Sequence, residues 1–277
     1  MLNELIIDGL IKRALEEDMP FGDITTDSLI DEESISRAEF IAKEEGIVAG
    51  IDIAGRVFKI LDSRVIFTKV VNDGEEANKG DIIAQIEGKT RALLKGERIA
   101  LNILQRLSGI ASKTKEICCV VKDLPVSIAD TRKTIPGMRI LEKYAVKVGG
   151  GSNHRYSLSD GVLIKDNHIA AAGSIKRAIE RAKIAVPHTV KIEVETESLK
   201  QVEEALDAKA DIIMLDNMNI EMMKQAVALI NNKAIVEASG NVSIDNIRQV
   251  ALTGVNIISI GALTHSVKAM DISMKIR

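Results

Sequence analysis

Arg132, Lys133, His154, Arg155 and Lys165 cluster around a Gly149-Gly150-Gly151 run, in a chain whose formal net charge is only −3. Arginine's planar fork pairs bidentately with carboxylate or phosphate, and lysine supplies a point charge. Glycines let backbone approach a ligand where a side chain would obstruct it. Together these residue types suit a pocket for a compact polyanion. A solvated Arg-Lys turn and a mobile glycine loop are the plain alternatives, since exposed charges and surface loops are common.

Position favours the ligand reading. Arg132 and Lys133 follow the apolar Ser127-Ile128-Ala129 run, and Lys165 directly follows Val162-Leu163-Ile164, so each cation stands where a strand has just ended. Glu193 and Glu195 are two apart on another strand and share one face, while Asp216 ends the next strand. Among cations, carboxylates weaken anion binding unless they serve Mg²⁺, sugar hydroxyls or a developing positive charge. A salt-bridged rim is the alternative, and Glu193 has the weaker case of the three. Ser239-Gly240-Asn241, leading to a helix near Ser243, and Gly261 with Ala262 have the makings of a phosphate site of late loops and a helix N-terminus. His168 is expected to support its own turn, and His188 to be a loop residue without catalytic interest.

These side chains need elements to hold them. Leu5, Ile6, Leu10, Ile11 and Leu15 recur at helical steps, predicting a helix over Glu4 to Asp18. Strand-like runs at Ala38 to Ala42 and Val65 to Val71 flank a helical pattern from Ile51 to Leu61, and turns are expected at Pro20 to Asp23, Asn72 to Gly74 and Lys79 to Asp81. A long helix should cover Arg91 to Val121, with Gly109 as a candidate break. Beyond Pro125, short apolar strands at Val126 to Ala129, Val162 to Ile164, Val190 to Val194, Ile212 to Leu215, Ala234 to Ala238 and Ile257 to Ile260 alternate with helical stretches. Such alternation calls for parallel strands covered by helices.

Glu195, Asp216, Ser239 and Gly261 close the last four strands at spacings of 21, 23 and 22. In a β/α barrel that carboxyl end holds the site. Eight such units would need about 176 residues, and 151 remain from residue 127 to 277. An open or incomplete barrel of about six parallel strands therefore fits better than a closed one. An open doubly wound sheet is the runner-up.

Composition narrows the classes. Hydrophobic residues at 46% and charged residues at 28% fit a globular chain able to bury a core. No apolar run reaches the ~18 residues of a membrane span, and Met1 to Glu4 show no basic leader, so cytoplasmic action is expected. Aromatic residues at 2%, with an acidic balance, argue against a nucleic-acid partner. Cys118 and Cys119 are adjacent in a helical pattern and are read as reduced, buried packing residues. There is no Walker motif, no zinc-like Cys and His pairing and no G-x-S-x-G elbow. The residues alone yield an enzyme handling a phosphorylated sugar together with a small carboxylate.

Asp130-Thr131-Arg132-Lys133-Thr134, Gly149-Gly150-Gly151 through His154-Arg155, and Leu163-Ile164-Lys165-Asp166-Asn167-His168 resemble the quinolinate phosphoribosyltransferase family. Glu97-Arg98, Leu107-Ser108-Gly109-Ile110-Ala111, Glu193-Val194-Glu195, Leu215-Asp216-Asn217, Glu237-Ala238-Ser239-Gly240 and Gly261-Ala262-Leu263-Thr264 extend the likeness over nearly the whole chain. Ile135 stands where the family often has threonine, and Asn241 where it often has glycine.

The resemblance implies an N-terminal α+β sandwich domain over residues 1–109, joined by 267–277, and an α/β barrel over 110–266. It implies transfer of the phosphoribosyl group of 5-phosphoribosyl 1-diphosphate to quinolinate, giving nicotinate mononucleotide, CO₂ and diphosphate in de novo NAD biosynthesis. Lys133, Lys165, Glu195 and Asp216 would be catalytic. Substrate would be bound by these together with Thr131, Arg132, His154, Arg155, Ser239, Gly240, Asn241, Gly261 and Arg98, the last supplied by the partner of a homodimer. Mg²⁺ would be held mainly through substrate, with Glu195 and Asp216 as candidate ligands. Two other readings stay open: a phosphoribosyltransferase paralogue of the kind found with molybdenum transport, and a non-catalytic sugar-phosphate or nucleotide-binding barrel.

Overall fold

Twelve strands and the helices between them account for most of the chain in the computed structural model, which describes residues 3–277. Met1 and Leu2, part of the stretch read above for a leader, lie outside the described residues. The strands are β1 (Ile35–Ala42), β2 (Gly46–Ile47), β3 (Ile66–Lys69), β4 (Glu76–Ala77), β5 (Ile82–Lys89), β6 (Ser127–Ala129), β7 (Val162–Ile164), β8 (Ile192–Thr196), β9 (Ile212–Asp216), β10 (Ile235–Ser239), β11 (Ile257–Ser259) and β12 (Ile272–Ile276). They fall into two compact units: Met1–Lys115 with Ile135–Gly150 and Ser266–Arg277, and Glu116–Thr134 with Gly151–His265.

In the first unit an antiparallel sheet runs in the order β12, β1, β5, β3. The pairing of β12 with β1 ties the last residues of the chain into this unit. Phe40, Phe58 and Phe67 meet in its core, with centroid separations of 5.8 to 6.4 Å. The helix Glu4–Asp18 begins at Asn3, whose side chain accepts from the Leu5 N–H at 3.0 Å. It buries Ile7, Leu10, Ile11 and Leu15, whereas Leu5 and Ile6, counted above in the apolar stripe, face solvent. Three of the stripe's five positions are therefore buried.

The helix Thr90–Val120 runs unbroken through Gly109. The glycine is a packing position rather than a break: a Cβ there would meet the Lys268 carbonyl. The expected boundary at residue 109 lies inside this helix, and the two units divide between 115 and 116. A second difference concerns the helix Arg139–Val148, which groups with the first unit. Glu142, fully buried, pairs with Arg106 at 2.8 Å, and Tyr144 donates to Asp73 at 2.6 Å. Buried pairing of this kind fixes a segment firmly because breaking it strands a charge. Cys118 is half-buried and Cys119 exposed, so neither is the buried packing residue expected. The helix's buried stripe passes through Ile110, Ala111, Thr114 and Ile117, and adjacent residues on a helix diverge from it.

The second unit is one parallel sheet in the order β6, β11, β10, β9, β8, β7. Helices such as Ile175–Ala185, Leu199–Asp207 and Ile220–Ile230 connect its strands, each opened by a Ser or Asn side chain accepting from a backbone N–H. Six strands form the open barrel anticipated from the residue count. Near the open edge, β6 is continued by a single parallel bridge from Ala129 to Ser152. Among the described residues no helix is long and apolar enough to cross a membrane.

Candidate active site

The barrel strands deliver their polar residues by register. Asp216 on β9 is paired with Ser239 on β10, and Glu195 on β8 with Met214 on β9, which in turn faces Glu237 on β10. Residues two apart on a strand share a face, so Glu193 and Glu195 project alike, as do Glu237 and Ser239. The strand ends surround a cavity of about 690 Å³, lined by Thr131, Arg132, Lys133, His154, Arg155 and Lys165 on loops and by Glu195, Asp216, Ser239, Gly240, Asn241 and Gly261 on strand ends and turns. Every substrate-binding or catalytic residue expected from the sequence except Arg98 therefore lines one cavity, whereas Glu193 and the glycine run do not. Arg98 is exposed on the helix Thr90–Val120 in the other unit, and Glu193 lies deeper and is 4% exposed.

Asp130, fully buried at the end of β6, organises the loop that carries His154 and Arg155. Its carboxylate accepts from the His154 backbone N–H at 2.9 Å and from Asn153 Nδ2 at 2.6 Å. The glycine run preceding this loop does not line the cavity. Gly149 instead permits close packing on the long helix: a Cβ there would lie 2.7 Å from Thr114 Cβ and would meet the Ala111 carbonyl. The expectation that these glycines bring backbone to a ligand is thus replaced by a structural role.

The cations differ in their circumstances. Arg155 donates to the Gly161 carbonyl at 2.8 Å, and burial, reinforced by the neighbouring Arg132 charge, lowers its pKa. Two guanidiniums lining one cavity and repelling each other favour a bound anion. Lys165 Nζ pairs with Glu195 Oε2 at 2.6 Å. Its backbone N–H donates to His168 Nδ1 at 3.0 Å, so His168 supports its turn as expected. Lys133 is fixed by its backbone, whose carbonyl accepts from Thr264 Oγ1 at 2.7 Å, and its stem would stand 2.9 Å from a Cβ at Gly261.

His154 is held on both sides. Nδ1 accepts from the Arg155 N–H at 2.8 Å, which assigns the ring proton to Nε2. Nε2 lies 3.1 Å from Glu193 Oε2 and 3.5 Å from Glu237 Oε1. With both nitrogens engaged inside the protein, the ring joins the loop to the buried carboxylates.

The acidic strand end and the turn at Gly240 are equally built. Asp216 Oδ2 accepts from Asn217 Nδ2 at 2.6 Å, and Asn217 Oδ1 accepts from Asn241 Nδ2 at 3.2 Å. Gly240, at φ +92°, could not carry a side chain: a Cβ would stand 2.7 Å from Asn217 Cγ. Asn241 is left-handed too, at φ 51°, a conformation asparagine tolerates better than most residues. Glu195 and Asp216 are hard oxygen donors of the type Mg²⁺ takes.

Sequence reasoning passed over Glu237, Met214, Ser259 and His265, which also line the cavity. For Glu237 a signal existed: an acid inside the apolar Ile235–Ser239 strand, two residues before Ser239. The others carry no such mark.

Comparison with known proteins agrees with this arrangement. The profile of the quinolinate phosphoribosyl transferase N-terminal domain matches residues 23–108, and that of its C-terminal domain matches residues 110–275. A "probable nicotinate-nucleotide pyrophosphorylase (carboxylating)" of Bacillus subtilis is 46% identical over 275 residues, covering 99% of this chain and 95% of that one. Its namesake in Methanocaldococcus jannaschii is 48% identical over 276 residues, with 96% of each chain covered. The crystal structure of NadC from Streptococcus pyogenes superposes with a TM-score of 0.96 at 43% identity, covering 100% of this chain and 98% of that one. With both domain profiles matched and relatives similar over nearly their full length, the chain belongs to the quinolinate phosphoribosyltransferase family.

Proposed function

We propose that this protein transfers the phosphoribosyl group of 5-phosphoribosyl 1-diphosphate to quinolinate with decarboxylation, giving nicotinate mononucleotide, CO₂ and diphosphate for NAD biosynthesis. The observation that carries it is the division of charge in one cavity: Arg132, Lys133, Arg155 and Lys165 line it together with Glu195 and Asp216. A dicarboxylate matches the guanidinium pair, whose mutual repulsion its two charges relieve. Lys133 would serve between the dicarboxylate and the diphosphate, and the turn of Ser239, Gly240 and Asn241, with Gly261, suits the 5-phosphate.

Loss of diphosphate from the ribose leaves an oxocarbenium-like carbon. In this reading Glu195 and Asp216 stabilise that positive charge and hold ribose hydroxyls. Lys165, bound to Glu195 at 2.6 Å, fixes that carboxylate and gives the pyridine carboxylates a further cation. Once ribosylated, the pyridine nitrogen is cationic, and it stabilises the ring carbanion left when the adjacent carboxylate departs. Mg²⁺, when bound mainly through substrate with Glu195 and Asp216 beside it, supplies charge neutralisation at the diphosphate. The same reading includes a homodimer in which Arg98 reaches the partner's substrate, and action in the cytoplasm without nucleic-acid or membrane partners.

Incubation with quinolinate labelled in the departing carboxylate, phosphoribosyl diphosphate and Mg²⁺ tests the proposal. Release of labelled CO₂ is expected. Binding of phosphoribosyl diphosphate without release would favour the non-catalytic barrel, and turnover of a different acceptor the paralogue.

A further inference from the structure

Glu237 lines the active-site cavity one layer below Ser239, yet it is 1% exposed. It also lines a second cavity of about 370 Å³, which extends from the same floor to Ser127, Lys191 and Ile257 at the opposite ends of the strands. This carboxyl therefore stands between two spaces. Its Oε1 has no hydrogen-bond partner, while Ser259 on β11 hydrogen-bonds the group.

The neighbours from each element define its charge state. Glu193 faces it from β8 and is itself buried, with its own Oε1 lacking a hydrogen bond. Met214 faces it from β9, and from the loop His154 Nε2 lies 3.5 Å away. That single Nε2 proton is directed at Glu193, at 3.1 Å. Two buried carboxyls thus lie beside one N–H that only Glu193 is near enough to take, which is unfavourable if both are ionised. Burial, with the Glu193 charge adding to it, pushes Glu237 up to about 7, so the group retains a proton near neutrality.

Resting on the function proposed above, we infer that Glu237 is the general acid of the decarboxylation, delivering from the cavity floor the proton that replaces the departing CO₂. The bond between ring C2 and its carboxylate carbon breaks, the electron pair stays on C2, and CO₂ leaves. That pair takes the Glu237 proton, forming C–H as O–H breaks. Solvent water returns a proton to the carboxylate through the second cavity. Capture on the ring commits the reaction by preventing CO₂ from recombining. A neutral acid at the floor also spares the incoming dicarboxylate the repulsion an ionised one would exert.

The test measures kcat against pH, and quinolinate affinity by equilibrium dialysis, for the full-length enzyme and its Glu237→Gln and Glu237→Asp variants. In the unaltered enzyme kcat should fall as pH rises through about 7. Glu237→Gln, similar in shape but unable to donate, should lose roughly 10²-fold in kcat while keeping its affinity for quinolinate. Its residual rate should lack the fall near neutrality, and Glu237→Asp should recover part of the loss. Full activity in Glu237→Gln, or a lower rate with the same pH profile, would overturn the assignment. So would weakened binding with kcat intact, or a stoichiometric divalent ion held at His154, Glu193 and Glu237 and lost in Glu237→Gln. If circular dichroism shows Glu237→Gln misfolded, the Asp variant decides: a displaced pH fall supports the role and an unchanged profile defeats it. Absence of CO₂ release by the unaltered enzyme at every pH would instead defeat the function itself.

Discussion

Replacing Gly240 with alanine separates two costs that the structure places at one residue. The first is backbone strain, because φ is +92°, a conformation that costs an L-residue about 1–2 kcal/mol. The second is steric: the new Cβ would stand 2.7 Å from Asn217 Cγ and 2.8 Å from its backbone nitrogen, and such overpacking costs about 1–3 kcal/mol. Gly173→Ala in the same unit isolates the first, since at φ +93° its nearest neighbour is the flexible end of Arg177, 3.3 Å away. At roughly 2–4 °C per kcal/mol, calorimetry should show a loss of about 2–8 °C for Gly173→Ala, and several degrees more for Gly240→Ala. Activity should diverge further. Asn217 holds Asp216 at 2.6 Å and Asn241 at 3.2 Å, so moving it shifts the carboxylate proposed to hold the ribose and the turn proposed to hold the 5-phosphate. A displacement of this size costs on the order of 10²-fold in kcat/KM for phosphoribosyl diphosphate, whereas Gly173→Ala should leave kinetics unchanged. Equal melting losses for the two variants, with unchanged kinetics in Gly240→Ala, would refute the reasoning.

Other substitutions probe the remaining parts of the site. Arg132→Ala should raise the quinolinate KM or abolish turnover through loss of a bidentate charge pair, and steady-state kinetics identical to the unaltered enzyme would remove this residue from the site. Mixing inactive Arg98→Ala protein with inactive Lys165→Ala protein should restore partial activity through hybrid dimers, and no rescue would count against a shared site. Gly149→Ala, crowding Thr114 at 2.7 Å, should lower stability by about 1–3 kcal/mol, checked by calorimetry against the unaltered chain. Burial raises the Glu237 pKa from 4.5 to about 7, so the fold binds this proton more tightly than the unfolded chain does. That contribution is complete below about 4.5 and is lost as pH climbs to about 7, so the melting temperature should decline over that window relative to Glu237→Gln, and parallel curves would contradict it.

Local patterns fix much of this protein. The three- and four-residue spacing of apolar residues set the helices Glu4–Asp18 and Ile51–Leu61, because amphipathic periodicity is a property of the chain alone. Regular strand spacing and a limited residue supply announced six strands and an open barrel, and cations just beyond apolar runs marked the mouth of the cavity. Only the tertiary structure decided what lies beneath that mouth. Whether Glu193 and Glu237 face each other depends on register across β8, β9 and β10, which no single strand encodes. Likewise, Gly149 and Gly109 are glycines because distant backbone packs against them. Cys119 is exposed because a rotation of one residue on the helix Thr90–Val120 carries it off the buried stripe. Sequence sets which faces are apolar and where charges fall along the chain. The meeting of charges far apart in sequence, and hence their protonation, depends on burial and neighbours that exist only after the strands have aligned.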